Sequence, residues 1–419
     1  MKIAFLVGQF PLLSETFVLN QIAGLLDRGH EVQIYALDGV PANMSKVHPI
    51  VEEYHLCDRT SYSPIIPKNY IWRLFKGLKL LLTNIQKGSF ACLPLLNFFK
   101  YGRQAYSLRL FYRGISLSKQ ETYEIIHCQF GTFGLIGRLF RHCGLIRGKL
   151  ITTFRGHDIS WAIEEYGDRV YDPLFAEGDF FLTNCEFFRN RIVKLGCDEK
   201  KILIHASGID CAKFAFSSRT FPPDGRIRVA TVGRLVEKKG IEYGIRAIAK
   251  VTPVYPHIEF NIIGDGPLTQ HFQTIIKELD LDSTVNLLGA KQQQEIIEIL
   301  DNSHIFIAPS VTAADGNQDA PLNTLKEAMA MGLPVISTAH GGIPELVEDG
   351  ISGFLVSERD TDAIATKINY LIEHPALWSE MGRAGRACVE AKYDTNKLND
   401  ELVEIYQQQL MQTKGVDKQ

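Results

Sequence analysis

No apolar run in this 419-residue chain approaches the roughly 18 residues needed to cross a bilayer, which excludes an integral helical membrane protein. Cysteine pairs of the C-x-x-C type are missing. Cys57, Cys92, Cys128, Cys143, Cys185, Cys197, Cys211 and Cys388 are scattered, so zinc ligation is not expected and a reducing cytosol is. Excess charge of one sign is missing too: the formal net charge of −3 gives no case for a nucleic-acid binder. The opening MKIAFLVGQFPLLSE has an apolar stretch of only six residues, short of a secretory leader, and reads as a buried first strand. A dinucleotide fingerprint is absent, because Ile263-Gly264-Asp265-Gly266-Pro267 lacks the third glycine and Gly8-Gln9-Phe10-Pro11 has a single one. What remains is ordinary globular composition, 45% hydrophobic and 22% charged, at a length that suits two or three domains.

Short apolar runs alternate with helical patterns. Strands are expected at Lys2–Val7, Glu31–Leu37, Glu124–Gln129, Lys149–Phe154 and Phe180–Thr183, with a helix over Ser14–Leu26. After the turn-rich Phe221-Pro222-Pro223-Asp224-Gly225, a second series follows at Arg228–Val232, Ile258–Ile263, Thr284–Leu288, His304–Ala308, Pro334–Ser337 and Gly353–Val356. Alternating β and α units imply parallel sheets covered on both faces. The expected fold class is therefore α/β, two Rossmann-like domains facing a cleft: residues 1–220, residues 221–395, and a final helix and tail, 396–419, returning to the first domain.

One segment departs from this alternation. Residues 59–120 contain no Asp or Glu but eleven basic residues, Arg59, Lys68, Arg73, Lys76, Lys79, Lys87, Lys100, Arg103, Arg109, Arg113 and Lys119. The rest of the chain carries 34 basic residues against 48 acidic ones. Interleaved Trp72, Phe75, Leu80–Leu82, Phe98, Phe99, Phe111 and Tyr112 make 68–119 an expected contact with an anionic membrane surface. A basic flank on a helical insertion, or a site for an anionic acceptor, reads equally from the same residues.

Four blocks carry chemistry. Thr231-Val232-Gly233-Arg234-Leu235-Val236-Glu237-Lys238-Lys239-Gly240 leaves a strand and enters a helix, placing Arg234 and Lys239 where phosphate could be gripped; alone, it is also a solvated basic loop. In Asp319-Ala320-Pro321-Leu322-Asn323-Thr324-Leu325-Lys326-Glu327, Pro321 suits a first helical turn and Gly332 its end. Asp319 would then lie on the N-cap side and Glu327 about two turns in, a carboxylate among Leu, Ala and Met that needs a partner. His340-Gly341-Gly342-Ile343-Pro344-Glu345 would aim free N–H groups at an anion from a helix start. Thr152-Thr153-Phe154-Arg155-Gly156-His157-Asp158 ends a strand, where His157 and Asp158 could orient a substrate, though a satisfied structural histidine reads from the same spacing. Ser14-Glu15-Thr16 is read against simple N-capping. The D-x-D triplets Asp280-Leu281-Asp282 and Asp360-Thr361-Asp362 precede a strand and cap a helix, so no metal site is expected.

Together, "VGRLVEKKGIEY", "IIGDGP", "LKEAMAMGLPVIST" and "HGGIPELVEDGISGFLV" resemble family four of the retaining glycosyltransferases, of GT-B fold. "FPLLSETFVLNQI" and "TTFRGHDIS" are similar to its bacterial exopolysaccharide, capsule and lipopolysaccharide branch. The resemblance implies transfer of a sugar from a UDP- or GDP-linked donor to a saccharide or lipid-linked acceptor. It also implies retention at the anomeric carbon and no metal or other cofactor. On it, Arg234 and Lys239 bind the donor diphosphate, Glu327 the ribose and Asp319 the donor sugar. Gly264, Gly266, Leu322, Asn323, Gly341 and Gly342 complete the donor site, while Gly8, Glu15, Arg155 and Asp158 face the acceptor or donor sugar. His157 joins the catalytic set. The chain departs from the family pattern at Asp319, which replaces Glu, at Ala320, and at Arg155, which stands where His is usual. A location on the inner face of the plasma membrane follows as an expectation. A catalytically silent sugar-binding scaffold, a same-fold epimerase and a phosphorylase are the other readings.

Overall fold

The computed structural model describes residues 1–12, 15–41, 47–86, 90–117 and 120–416, the last four of these in backbone only. Ser14, Lys87 and Lys119, singled out above, lie outside the described residues. The chain forms two compact units. The first is Met1–Thr183, Arg191–His205 and Asn399–Gln419; the second is Asn184–Asn190 and Ala206–Leu398.

The first unit is built on a seven-stranded parallel sheet of order β3-β2-β1-β4-β5-β6-β7. Its strands are β1 Lys2–Val7, β2 Glu31–Ala36, β3 Thr60–Tyr62, β4 Thr122–Gln129, β5 Arg147–Phe154, β6 Phe180–Thr183 and β7 Ile202–Ile204. Ile3 to Val7 are all essentially inaccessible, as a central parallel strand requires. Helices Thr16–Asp27 and Gly131–His142 cover the sheet. The C-terminal helix Thr395–Val416 belongs here too: Leu402, Ile405 and Tyr406 pack with Phe5, Val18 and Ile22 in one core.

The second unit has a six-stranded parallel sheet, β10-β9-β8-β11-β12-β13. Its strands are β8 Ile227–Val232, β9 Ile258–Ile263, β10 Val285–Gly289, β11 Ile305–Ala308, β12 Val335–Thr338 and β13 Gly353–Val356. Residues 206–220, placed by sequence with the first domain, belong to this unit instead. Ile209 exchanges backbone hydrogen bonds with Tyr393 and Thr395, and Cys211 and Phe214 join the core around Met329.

In both sheets the connection reverses once, between β1 and β4 and between β8 and β11. Doubly wound sheets bind ligands outside the carboxyl ends of the strands at that reversal.

Candidate donor site of the second unit

The reversal of the second sheet is occupied by a charge cluster. The loop after β8 carries Lys238 and Lys239, and the segment after β11 carries Asp319. Lys238 Nζ lies 3.0 Å from Asp319 Oδ1, and Lys239 Nζ lies 3.0 Å from Oδ2. Ser310 donates its hydroxyl to Oδ2 at 2.9 Å. Asp319 is only 4% exposed. Burial alone would raise its pKa, but the two ammonium groups and their hydrogen bonds outweigh that and hold the carboxyl well below the usual range. Burial also lowers the pKa of Lys239, a shift that Asp319 partly opposes. Arg234 sits exposed on the same loop. Two or three cations around one buried acid leave local positive charge, which suits a diphosphate.

The Asp319 backbone is held as firmly as its side chain. Its N–H donates to His340 Nε2 at 3.0 Å, so that nitrogen is the unprotonated one. His340 Nδ1–H then donates to Glu358 Oε1 at 2.7 Å. Glu358 also accepts from the Thr312 N–H (2.7 Å) and hydroxyl (3.1 Å), tying the loop after β13 to the loop after β11. The Asp319 carbonyl accepts from Gly342 N–H at 3.0 Å. Gly341 has φ +52°, and a Cβ there would fall 2.2 Å from the Asp319 carbonyl oxygen, so a side chain is excluded on two counts.

The remaining donor-side residues are placed as follows. Gly264 has φ +141°, and its Cβ position is 1.9 Å from Gly233 O; that of Gly266 is 2.5 Å from Leu235 O. Leu235 N–H donates to Asp265 O, which stitches the "GDGP" loop to the "GRL" loop. Leu322 is the N-cap of helix Asn323–Ala330, and Asn323 Oδ1 accepts from Lys326 Nζ at 3.2 Å. Glu327 is the fifth residue of that helix, one turn in rather than two, because the helix starts at Asn323 and Asp319 lies outside the cap. Among the described residues no donor reaches its carboxylate. Burial pushes its pKa up to about 7, against a smaller lowering by Lys326.

Several expectations are corrected. Asp319 is first of all the counter-ion of two lysines, with both oxygens engaged. The segment after Gly342 is one 3-10 turn, Ile343–Glu345, not an α-helix, and the Gly342 N–H is committed to the Asp319 carbonyl, so no α-helix start presents that N–H to an anion. Glu345 instead caps another helix, accepting from the N–H groups of Glu186 (2.8 Å) and Phe187 (2.9 Å). Asp158, expected at the sugar, is 2% exposed and accepts backbone N–H bonds from Gly131, Arg155 and Gly156. It is a loop anchor.

Gly8, Glu15, Arg155, His157 and Asp158 all belong to the first unit, near the carboxyl ends of β1 and β5. Gly8 accepts from the Asp38 N–H. Arg155 donates to Gln129 Oε1 at 2.9 and 3.0 Å and lies over the Phe17 ring, 4.0 Å from its centroid. Burial pushes Glu15 up to about 7, with Arg155 pulling the other way. His157 is exposed and stacks on Trp161. His127 is fully buried between Tyr406 OH (2.5 Å) and Thr153 Oγ1 (2.6 Å), a core histidine. Lys238, Ser310, His340 and Glu358 were not singled out by the sequence reading. Lys238 adjoins a residue that was, while Glu358 is joined to the site only through the fold.

Two doubly wound parallel sheets, with lysines and a buried acid at the second reversal, define the GT-B architecture of sugar transferases. The family model "Glycosyl transferases group 1" matches residues 213–387, and "Glycosyltransferase Family 4" matches residues 83–213. The "Putative colanic acid biosynthesis glycosyltransferase WcaL" of Salmonella typhimurium is 33% identical over 410 residues, covering 97% of this chain and all of that one. The "Amylovoran biosynthesis glycosyltransferase AmsK" of Erwinia amylovora is 34% identical over 408 residues, covering 97% and 99%. Among solved structures, Anabaena Alr3699/HepE in complex with UDP and glucose superposes with a TM-score of 0.71 at 19% identity, covering 97% of this chain and 100% of that one. The chain belongs to glycosyltransferase family 4 and is a glycosyltransferase.

Proposed function

We propose that this enzyme moves a sugar from a nucleoside-diphosphate donor, UDP- or GDP-linked, to a saccharide or lipid-linked acceptor during exopolysaccharide assembly. We further propose that it does so with retention, without a metal, at the inner face of the plasma membrane. The observation that carries the donor reading is the Lys238–Asp319–Lys239 cluster at the reversal of the second sheet. As the glycosidic bond breaks, negative charge grows on the leaving diphosphate. Lys238, Lys239 and Arg234 supply positive charge without a cation from solution. Retention fits a front-face path in which no side chain serves as covalent nucleophile. The relatives' names, colanic acid and amylovoran biosynthesis, support the polysaccharide role. The UDP bound in the HepE structure supports a nucleotide donor.

The test is a thermal-shift screen of UDP-, GDP- and ADP-sugars in EDTA, followed by transfer to a lipid-pyrophosphate saccharide with the product's anomeric configuration read by NMR. A ligand at a hundredfold excess over its Kd stabilises by about 2.7 kcal/mol. A shift for one base, and a product of the donor's own configuration in EDTA, is the expected result. An inverted product, or activity that appears only on adding a divalent cation, overturns the corresponding part.

A further inference from the structure

The basic segment of the first unit resolves into an inward and an outward set. Arg73 is buried, donating to the carbonyls of Pro67 (2.9 Å), Ser107 (3.0 Å) and Lys68 (3.3 Å). Arg113 pairs with Asp38 at 2.6 Å. These two hold the segment in place. The helix Tyr70–Gln86 rests on the unit through Arg73 and Gly77, its two buried residues. At about 100° per residue, Ile71, Phe75, Leu78 and Leu82 form one stripe on the side opposite Arg73 and Gly77. All four are more than half exposed: 63%, 66%, 55% and 52%. Trp72, at 64%, lies on the flank with Lys76 and Lys79, both exposed. Phe99, on the neighbouring helical segment Phe98–Tyr106, is fully exposed.

We infer that this outward stripe is a docking surface for an anionic lipid bilayer, with the apolar residues entering the headgroup boundary and the lysines meeting lipid phosphates. The charge pattern selects this occupant. No acid lies anywhere between Arg59 and Gln120, so two copies meeting through this face would oppose lysine to lysine. A soluble partner's apolar groove would leave the lysine flank without anionic surface. A Trp beside lysines on an amphipathic helix matches the interfacial pattern, in which the helix lies flat. No described helix is long and apolar enough to cross a membrane, which agrees with surface contact. The inference deepens the proposal of a lipid-linked acceptor but rests on this surface alone.

The experiment is flotation of the full chain with phosphatidylcholine vesicles, with and without phosphatidylglycerol, at low and high salt. Light scattering gives the oligomeric state, and donor thermal shift is run on every variant. Binding to the anionic vesicles, weakened by salt, is expected. Phe75→Ser with Leu78→Ser should weaken it at least tenfold, and Lys76→Gln and Lys79→Gln about fivefold each. Failure to float with anionic vesicles overturns the inference. So does a parent dimer that the apolar variants convert to monomer while flotation is unchanged. Flotation without any donor shift would instead sink the donor reading and leave this surface standing.

Discussion

Replacing Glu327 by Gln should change stability in a way that depends on pH, and the sign follows from the burial of its carboxyl. Burial raises its pKa from 4.5 to about 7. Between those values the unfolded chain has released the proton and the folded chain keeps it. Unfolding stability then falls as pH rises, because the folded state binds more protons. The full shift corresponds to about 3 kcal/mol at 1.36 kcal/mol per unit. Glu327 retains some exposure, so about 2 kcal/mol is the working figure. Gln carries no titrating proton. The variant should match its parent at pH 5 and exceed it by about 2 kcal/mol at pH 8. For a unit of roughly 200 residues melting by itself, this is a Tm gain of about 4–8 °C. Glu15 is also pushed up to about 7, but it cancels when the variant is compared with its parent at each pH. If ribose hydroxyls donate to Glu327, saturating nucleotide sugar should narrow the gap at pH 8 by stabilising the parent's carboxylate. Calorimetry from pH 5 to 8 decides: a variant-minus-parent Tm difference flat with pH refutes the reasoning.

Asp319→Ala should leave Lys238 and Lys239 facing each other without their counter-ion, at a cost of about 3–5 kcal/mol; salt or a nucleoside diphosphate should recover part of the lost Tm. Lys239→Ala should lower kcat by about 10²–10³ while the fold survives, read from steady-state kinetics and circular dichroism. Glu358→Ala should cost about 1–3 kcal/mol by stranding the Thr312 and His340 donors and should raise the donor KM; Glu358→Gln, which keeps an acceptor, should recover much of both. Gly341→Ala should displace the Asp319 carbonyl and abolish the donor-induced Tm shift, whereas an alanine at Gly144, whose Cβ position meets nothing within 4 Å, should leave that shift unchanged.

All eleven strands expected from apolar runs coincide with an observed strand to within a few residues, Lys149–Phe154 for example extending back to Arg147. The edges of the first sheet were not legible. Thr60–Tyr62 and Ile202–Ile204 have three residues each, too few to display a period of two. The C-terminal strand ends were readable as a site because glycine, lysine and acid cluster there in sequence. What each group does there was not. Asp319 as a lysine counter-ion, Asp158 as a loop anchor and Glu345 as a helix cap are set by contacts between loops far apart in the chain. A motif shows that a carboxylate is present at a turn. Only the assembled loops show whether N–H groups, ammonium groups or nothing meets it.

Tyr406 and its helix neighbours Leu402 and Ile405 have a consequence for how the chain is made. They fill the core around Phe5 and Val18, and Tyr406 OH closes on His127, yet they follow the whole of the second unit in the chain. The second unit, complete by Leu398, has all its residues in hand before the first has its final helix. Synthesis order and folding order are therefore inverted for this protein: the sheet of the first unit, although made earlier, keeps a slot open over β1 and β4 until residues that follow the whole second unit arrive.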